Sequence, residues 1–140
     1  MIIADTGFWL ALANRKDRYH KKAVQYLEGS PELLITTWPV MTETCHLLLH
    51  RLGREAQIAF MRSYASEAFE VFDIDNEGKY RNRVLALMIQ YADLPMDLAD
   101  ASLVLLAEHL GHGKILSTDL RDFKTYQWKQ RKPFENLLLD

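Results

Sequence analysis

Short apolar runs rich in β-branched residues ("IIA" after Met1, "ELLITT" and "KILST") alternate with longer stretches in which apolar residues recur at helical spacing. This alternation constrains the fold more than any other feature. A strand without a polar face has to be covered on both sides, which is the situation of a parallel sheet flanked by helices. "DRYHKKAVQYLEG" places Tyr19, Ala23, Tyr26 and Leu27 on one helical face, with Gly29 as its stop. Pro39 suits the first turn of the helix carrying "VMTETCHLLLHRL", and Gly53 ends it. "REAQIAFMRSYASEA", "GKYRNRVLALMIQYA" and, beyond Pro95, "MDLADASLVLLAEHL" complete the long helices, while Gly7 to Ala13 forms a short one. "FEVFDID" alternates as a strand does, and "ENLLL" suits an added edge strand. With no internal repeat and no Pro/Gly/Ser linker, the expectation is one domain over residues 1–140. It is an α/β/α sandwich with a mainly parallel central sheet.

Two apolar runs end on acids: the first at Asp5, and "KILST" at Asp119. Right-handed crossovers bring the C-terminal ends of parallel strands to one edge, where open α/β sheets place their ligands. Glu43 lies in the first turns of the helix after "LLITT", and Asp97 and Asp100 share a face near the start of another helix. Each acid also has a structural reading. Asp5 and Asp97 suit helix N-caps, Glu43 a solvated helix face, and Asp119 and Asp122 turns. Together, Asp5, Glu43, Asp97, Asp100 and Asp119 point to one acidic cluster that a hard cation such as Mg²⁺ or Mn²⁺ would neutralise.

The composition narrows the class. Hydrophobic residues make up 49% and charged residues 26%, with a net charge of −2, as in an ordinary soluble domain. A lone Cys45 forbids an internal disulfide and reads as a core filler. No stretch approaches the roughly 20 apolar residues of a membrane span, and the N-terminus lacks a signal-peptide pattern, so the expected location is cytoplasmic with no membrane partner. His46 and His50 stand one helical turn apart but lack a third ligand for zinc. Arg15, Lys16, Arg18, Lys21 and Lys22 follow the first acid, and Arg121 and Lys124 follow the last. They read equally as solvated surface or as grips for phosphates. Phe8 and Trp9 read as core or as partner surface. The apolar face of "REAQIAFMRSYASEA" reads as core or as a seat for a partner helix.

The order of "ADTG", the Glu in "TTWPVMTETCHLL", "LADASLVLLAEHLG" and "ILSTDLRDF" resembles the PIN domain, within it most of all the VapC-type toxin ribonucleases of bacterial toxin–antitoxin pairs. The resemblance runs from Ile2 to about Phe123, and "DRYH" (Asp17 to His20) resembles a DxxH element of such proteins. It implies that Asp5, Glu43, Asp100 and Asp119 are the catalytic, metal-binding acids, with Asp97 auxiliary. Thr6 and Thr118 would orient carboxylates or a metal-bound water. It further implies Mg²⁺-dependent (or Mn²⁺-dependent) hydrolysis of RNA, a cognate antitoxin, and a homodimer. Ser117 carries little weight in this comparison. The alternative within the family is a catalytically silent RNA-binding or complex-assembly module. A phosphoacceptor receiver domain also gathers acids at strand ends, but here Ala4 precedes Asp5 and Lys114 begins its strand instead of following the last one.

Overall fold

The computed structural model describes residues 1–119, 121–129 and 131–139. Leu120, Gln130 and Asp140, which fall within stretches read above, lie outside the described residues. The chain begins β1 (Ile2–Ala4), α1 (Thr6–Ala13), α2 (His20–Gly29), β2 (Leu34–Thr37), α3 (Trp38–Arg51), α4 (Arg54–Ala65) and β3 (Phe69–Phe72). A 3₁₀ turn at Asn76–Gly78 leads to α5 (Arg81–Gln90), α6 (Leu98–Leu110), β4 (Lys114–Leu116) and α7 (Asp122–Thr125). The final strands are β5 (Gln127–Trp128), β6 (Lys132–Pro133) and β7 (Glu135–Asn136).

The main sheet runs β3-β2-β1-β4-β7, and every pairing in it is parallel. β5 and β6 form a separate antiparallel pair. Strands β1, β2 and β3 step outward in one direction, and the chain then returns to lay β4 on the other side of β1. The order therefore reverses between β1 and β4, the switch point where a crevice opens beyond the strand ends. As the apolar runs required, β1 and β2 are buried throughout. Helix α6 supplies the most buried wall, with every residue from Ala101 to Ala107 inaccessible, and it packs on β1 and β2 and against α3 and α5. Phe8 and Trp9 are core, not partner surface.

Several elements are shorter than their sequence pattern, each for a local reason. Helix α2 starts at His20, not Asp17, because the Asp17 carboxylate accepts the Tyr19 amide (2.8 Å) in a turn. The His20 ring then donates from Nδ1 to the Ala11 carbonyl (2.7 Å), so the DxxH element pins α2 to the end of α1. Strand β3 stops at Phe72, where Asp73 takes the Asp75 amide (2.9 Å). Strand β4 stops at Leu116 because both backbone polar groups of Ser117 go to the Asn136 side chain instead of to a strand. Part of "ENLLL" does form the edge strand, β7.

Candidate active site at the carboxyl edge of the sheet

Asp5 follows β1 directly, and its amide bonds the Leu116 carbonyl (3.0 Å), which ties it to the end of β4 across the switch point. It is both a helix cap and a buried carboxylate. Oδ1 accepts the Thr6 amide (2.7 Å) and caps α1, while Oδ2 accepts the Ser117 hydroxyl (3.0 Å). Only 8% of the residue is exposed. Burial pushes its pKa up to about 7, with the charges of Glu43 and Asp119 adding to the rise and the two hydrogen bonds opposing it.

Asp100 sits in the first turn of α6. Asp97 caps that helix, its Oδ1 taking the Asp100 amide (2.8 Å), and Asp100 Oδ2 reaches back to the Asp97 amide (3.4 Å) in a capping box. The Tyr126 hydroxyl also donates to Asp100 Oδ2 (3.2 Å). Burial, then the charges of Asp97 and Asp5, raise Asp100 to about 8. Tyr126, buried beside these acids, is pushed upward as well.

Glu43 projects from α3, which joins α6 through a buried Thr37–Ser102 hydroxyl pair (2.5 Å). Burial and the nearby Asp97 charge raise its pKa, and the Thr6 hydroxyl, close by but short of a full hydrogen bond, eases it back. Asp119, two residues beyond Ser117, accepts the amides of Arg121 (3.1 Å) and Asp122 (2.9 Å) with Oδ1, so the turn reading of this acid also holds. Burial raises its pKa, and those amides partly offset the rise. Asp5 thus feels Glu43 and Asp119, Asp100 feels Asp5 and Asp97, and Glu43 feels Asp97. The edge is one electrostatic unit. Among the described residues, none of Asp5, Glu43, Asp100 and Asp119 forms an ion pair with Lys or Arg.

Among the described residues, no three His, Cys, Asp or Glu side chains stand where they could hold a metal ion between them. The donor chemistry nevertheless suits a hard cation. The edge offers only oxygens, its charge is unmatched, and the buried Thr6 hydroxyl has no hydrogen-bond partner. Mg²⁺ commonly keeps several waters and takes few direct carboxylates. Thr118, by contrast, makes no side-chain hydrogen bond to the acids among the described residues. It packs on Gly7, where a Cβ would lie 1.9 Å from its Oγ1, so position 7 admits no side chain without moving it.

Sequence reasoning gave Ser117 little weight and missed Asn136 and Tyr126. Ser117 is fully buried and serves both strand-end acids, donating to Asp5 and accepting the Asp119 amide (3.0 Å). Asn136 holds it in place, donating to the Ser117 carbonyl (2.9 Å) while its Oδ1 takes the Ser117 amide (3.3 Å). The hydroxyl two residues before Asp119 was a readable signal for Ser117. Nothing local marked Asn136 or Tyr126.

The fold and the acid edge together define an α/β protein with an all-oxygen site beyond its strand ends. Residues 2–129 match the PIN domain, and the chain belongs to that family. It is 28% identical over 123 residues to Ribonuclease VapC26 of Mycobacterium tuberculosis, covering 87% of this chain and 89% of that one. Over 59 residues it is 39% identical to the 23S rRNA-specific endonuclease VapC20 of the same organism, covering 42% of this chain and 45% of that one. The crystal structure of Mycobacterium tuberculosis VapC20, titled a sarcin–ricin loop cleaving toxin, superposes with a TM-score of 0.76 at 23% identity. That match covers 85% of this chain and 90% of the other.

Proposed function

We propose that this chain is a divalent-cation-dependent endoribonuclease of the VapC kind, the toxin of a toxin–antitoxin pair. The observation that carries the proposal is the unmatched acid edge, where Asp5 and Asp100 are held with raised pKa values at about 7 and about 8. Asp5, Glu43, Asp100 and Asp119 would hold Mg²⁺ or Mn²⁺, with Asp97 beside them. When bound, such an ion supplies positive charge for the phosphoryl oxygens and lowers the pKa of a water.

The chain's own residues do the rest. Ser117 and the Thr6 amide fix both oxygens of Asp5, so its carboxylate cannot rotate away. The free Thr6 hydroxyl offers a donor or acceptor to a water or a phosphate oxygen beside Glu43. Arg15, Lys16, Arg18, Lys21, Lys22, Arg121 and Lys124 are all exposed and would grip the RNA backbone in a salt-sensitive way. An antitoxin would lay an apolar segment along the groove of about 310 Å³ lined by Leu12, Ala13, Leu27, Ala56 and Ala59.

A silent binding module is the second reading, favoured by the lack, among the described residues, of three acids placed to hold one ion. Incubation of the purified protein with a stem-loop RNA separates the two. The ribonuclease reading expects cleavage that EDTA stops and added Mg²⁺ or Mn²⁺ restores. Binding without cleavage under any cation supports the silent module. In cells, overexpression should arrest growth, the small protein encoded beside it should relieve the arrest, and Asp100→Ala should be harmless yet still bind that protein. A wild-type chain that leaves its host unharmed without any partner would contradict the toxin assignment.

A further inference from the structure

An open cleft of about 670 Å³ continues from the Glu43 and Asp97 side of the site, within the ~300–1,000 Å³ of small-molecule pockets. Its walls are Trp38, Pro39, Ile74 and Leu98, and its rim carries Asp73 and Asp75. Trp38 is 43% exposed, whereas Trp9 and Trp128 are in the core at 7% and 6%. Tyr64 meets the Trp38 ring edge-to-face at 5.5 Å and is itself packed on Phe69, so the indole is propped from one side and open on the other. Nothing in the local fold calls for tryptophan where α3 begins.

The charge around the cleft selects what can enter. Asp73, Asp75, Asp97 and Glu43 line it together with Thr42 and His46, no Lys or Arg is in its wall, and Arg81 reaches Asp75 from outside at 3.7 Å, so acceptors outnumber cations there. A phosphate would be repelled, while a flat neutral ring bearing N–H donors meets an indole face and a rim of acceptors. Pro39 and Glu43 lie one turn apart on α3. A ring lodged beside Trp38 and Pro39 therefore leaves the attached backbone next to the acid edge.

We propose that this cleft is a nucleobase subsite, in which one unstacked base of the bound RNA strand lies on the open face of Trp38 and donates to the acidic rim. The inference rests on the ribonuclease reading for its substrate class. Stacking on the indole contributes to the affinity for the strand, so its loss should raise KM about tenfold and leave kcat nearly unchanged.

The test has two arms. In the first, Asp100→Asn protein is titrated with a short single-stranded RNA and with an abasic strand of the same length, following tryptophan fluorescence. The RNA should quench the signal, the abasic strand should not, and the quench should vanish when Trp38→Phe is added. In the second, cleavage kinetics of Trp38→Ala and Trp38→Phe are compared with wild type, Phe retaining most of the affinity that Ala loses. Equal quenching by the abasic strand, or an unchanged KM in a folded Trp38→Ala, overturns the subsite. If Trp38→Ala does not fold, the Phe variant and the titration decide. Failure of wild type to cleave any RNA removes the ribonuclease reading, and the quench, which needs no turnover, still decides the subsite.

Discussion

The two halves of the acid edge are built differently. On the β1–β4 side, Asp5 is buried, both its oxygens are bonded, and Ser117 and Asn136 lock the strand ends around it. On the α3–α6 side, Glu43 and Asp97 border an open cleft, and the exposed Trp38 and Leu98 contact solvent. One half is preorganised and dry, the other accessible. The second is open to an incoming group, whereas the first holds a carboxylate in a fixed direction at the expense of a raised pKa. The contrast assigns chemistry to the buried half and substrate entry to the open one.

Removing the charge from the buried half should have the largest effect. Asp5→Asn keeps the shape and should lower RNA cleavage by more than the ~10–100-fold that disturbing a ligand's supporting partners costs; circular dichroism should show the fold unchanged. Wild-type rates in this variant would move the chemistry elsewhere.

Loosening the buried half should come next. Ser117→Ala removes the donor to Asp5 Oδ2 and the acceptor for the Asp119 amide. Cleavage should fall ~10–100-fold and stability by ~1–3 kcal/mol, the cost of a buried polar group left unpaired. Steady-state kinetics and urea unfolding measure the two. A Ser117→Ala protein of normal activity would show that Asp5 needs no second tether.

The smallest effect is on stability against pH. Asp5 and Asp100 bind a proton more tightly folded than unfolded, so their contribution is complete below the ordinary carboxylate range. It is lost as pH rises through about 7 and about 8. In EDTA, the melting temperature should therefore decline between pH 5 and pH 8, and Asp5→Asn should flatten that decline. A melting temperature that rises over the same interval would mean that these acids are not desolvated.

How far the site could be read from sequence depended on whether its contacts were local. Asp5 and Asp119 were legible because each interrupts an apolar run that must be a buried strand. Glu43 and Asp100 were legible from helical phase. Capping and site membership, weighed as alternatives for Asp5, coincide: one oxygen caps α1 and the group still lies in the field of Glu43 and Asp119. What was not legible crosses the chain. Asn136 meets Ser117 from 19 residues away, and Tyr126 meets Asp100 from 26. The strand ends were over-read for the same reason: Ser117 satisfies its backbone through a side chain that no pattern announces.

The central claim is that the acid edge is a cation site, and calorimetric titration of Mn²⁺ into the protein at pH 6 and pH 8 tests it most directly. Carboxyls held at about 7 and about 8 must give up protons to bind a cation. The account predicts tighter binding at pH 8, proton release at pH 6 visible as a dependence of the heat on the buffer, and loss of both in Asp5→Asn. Binding that ignores pH and survives Asp5→Asn, or no binding at pH 8, would contradict it.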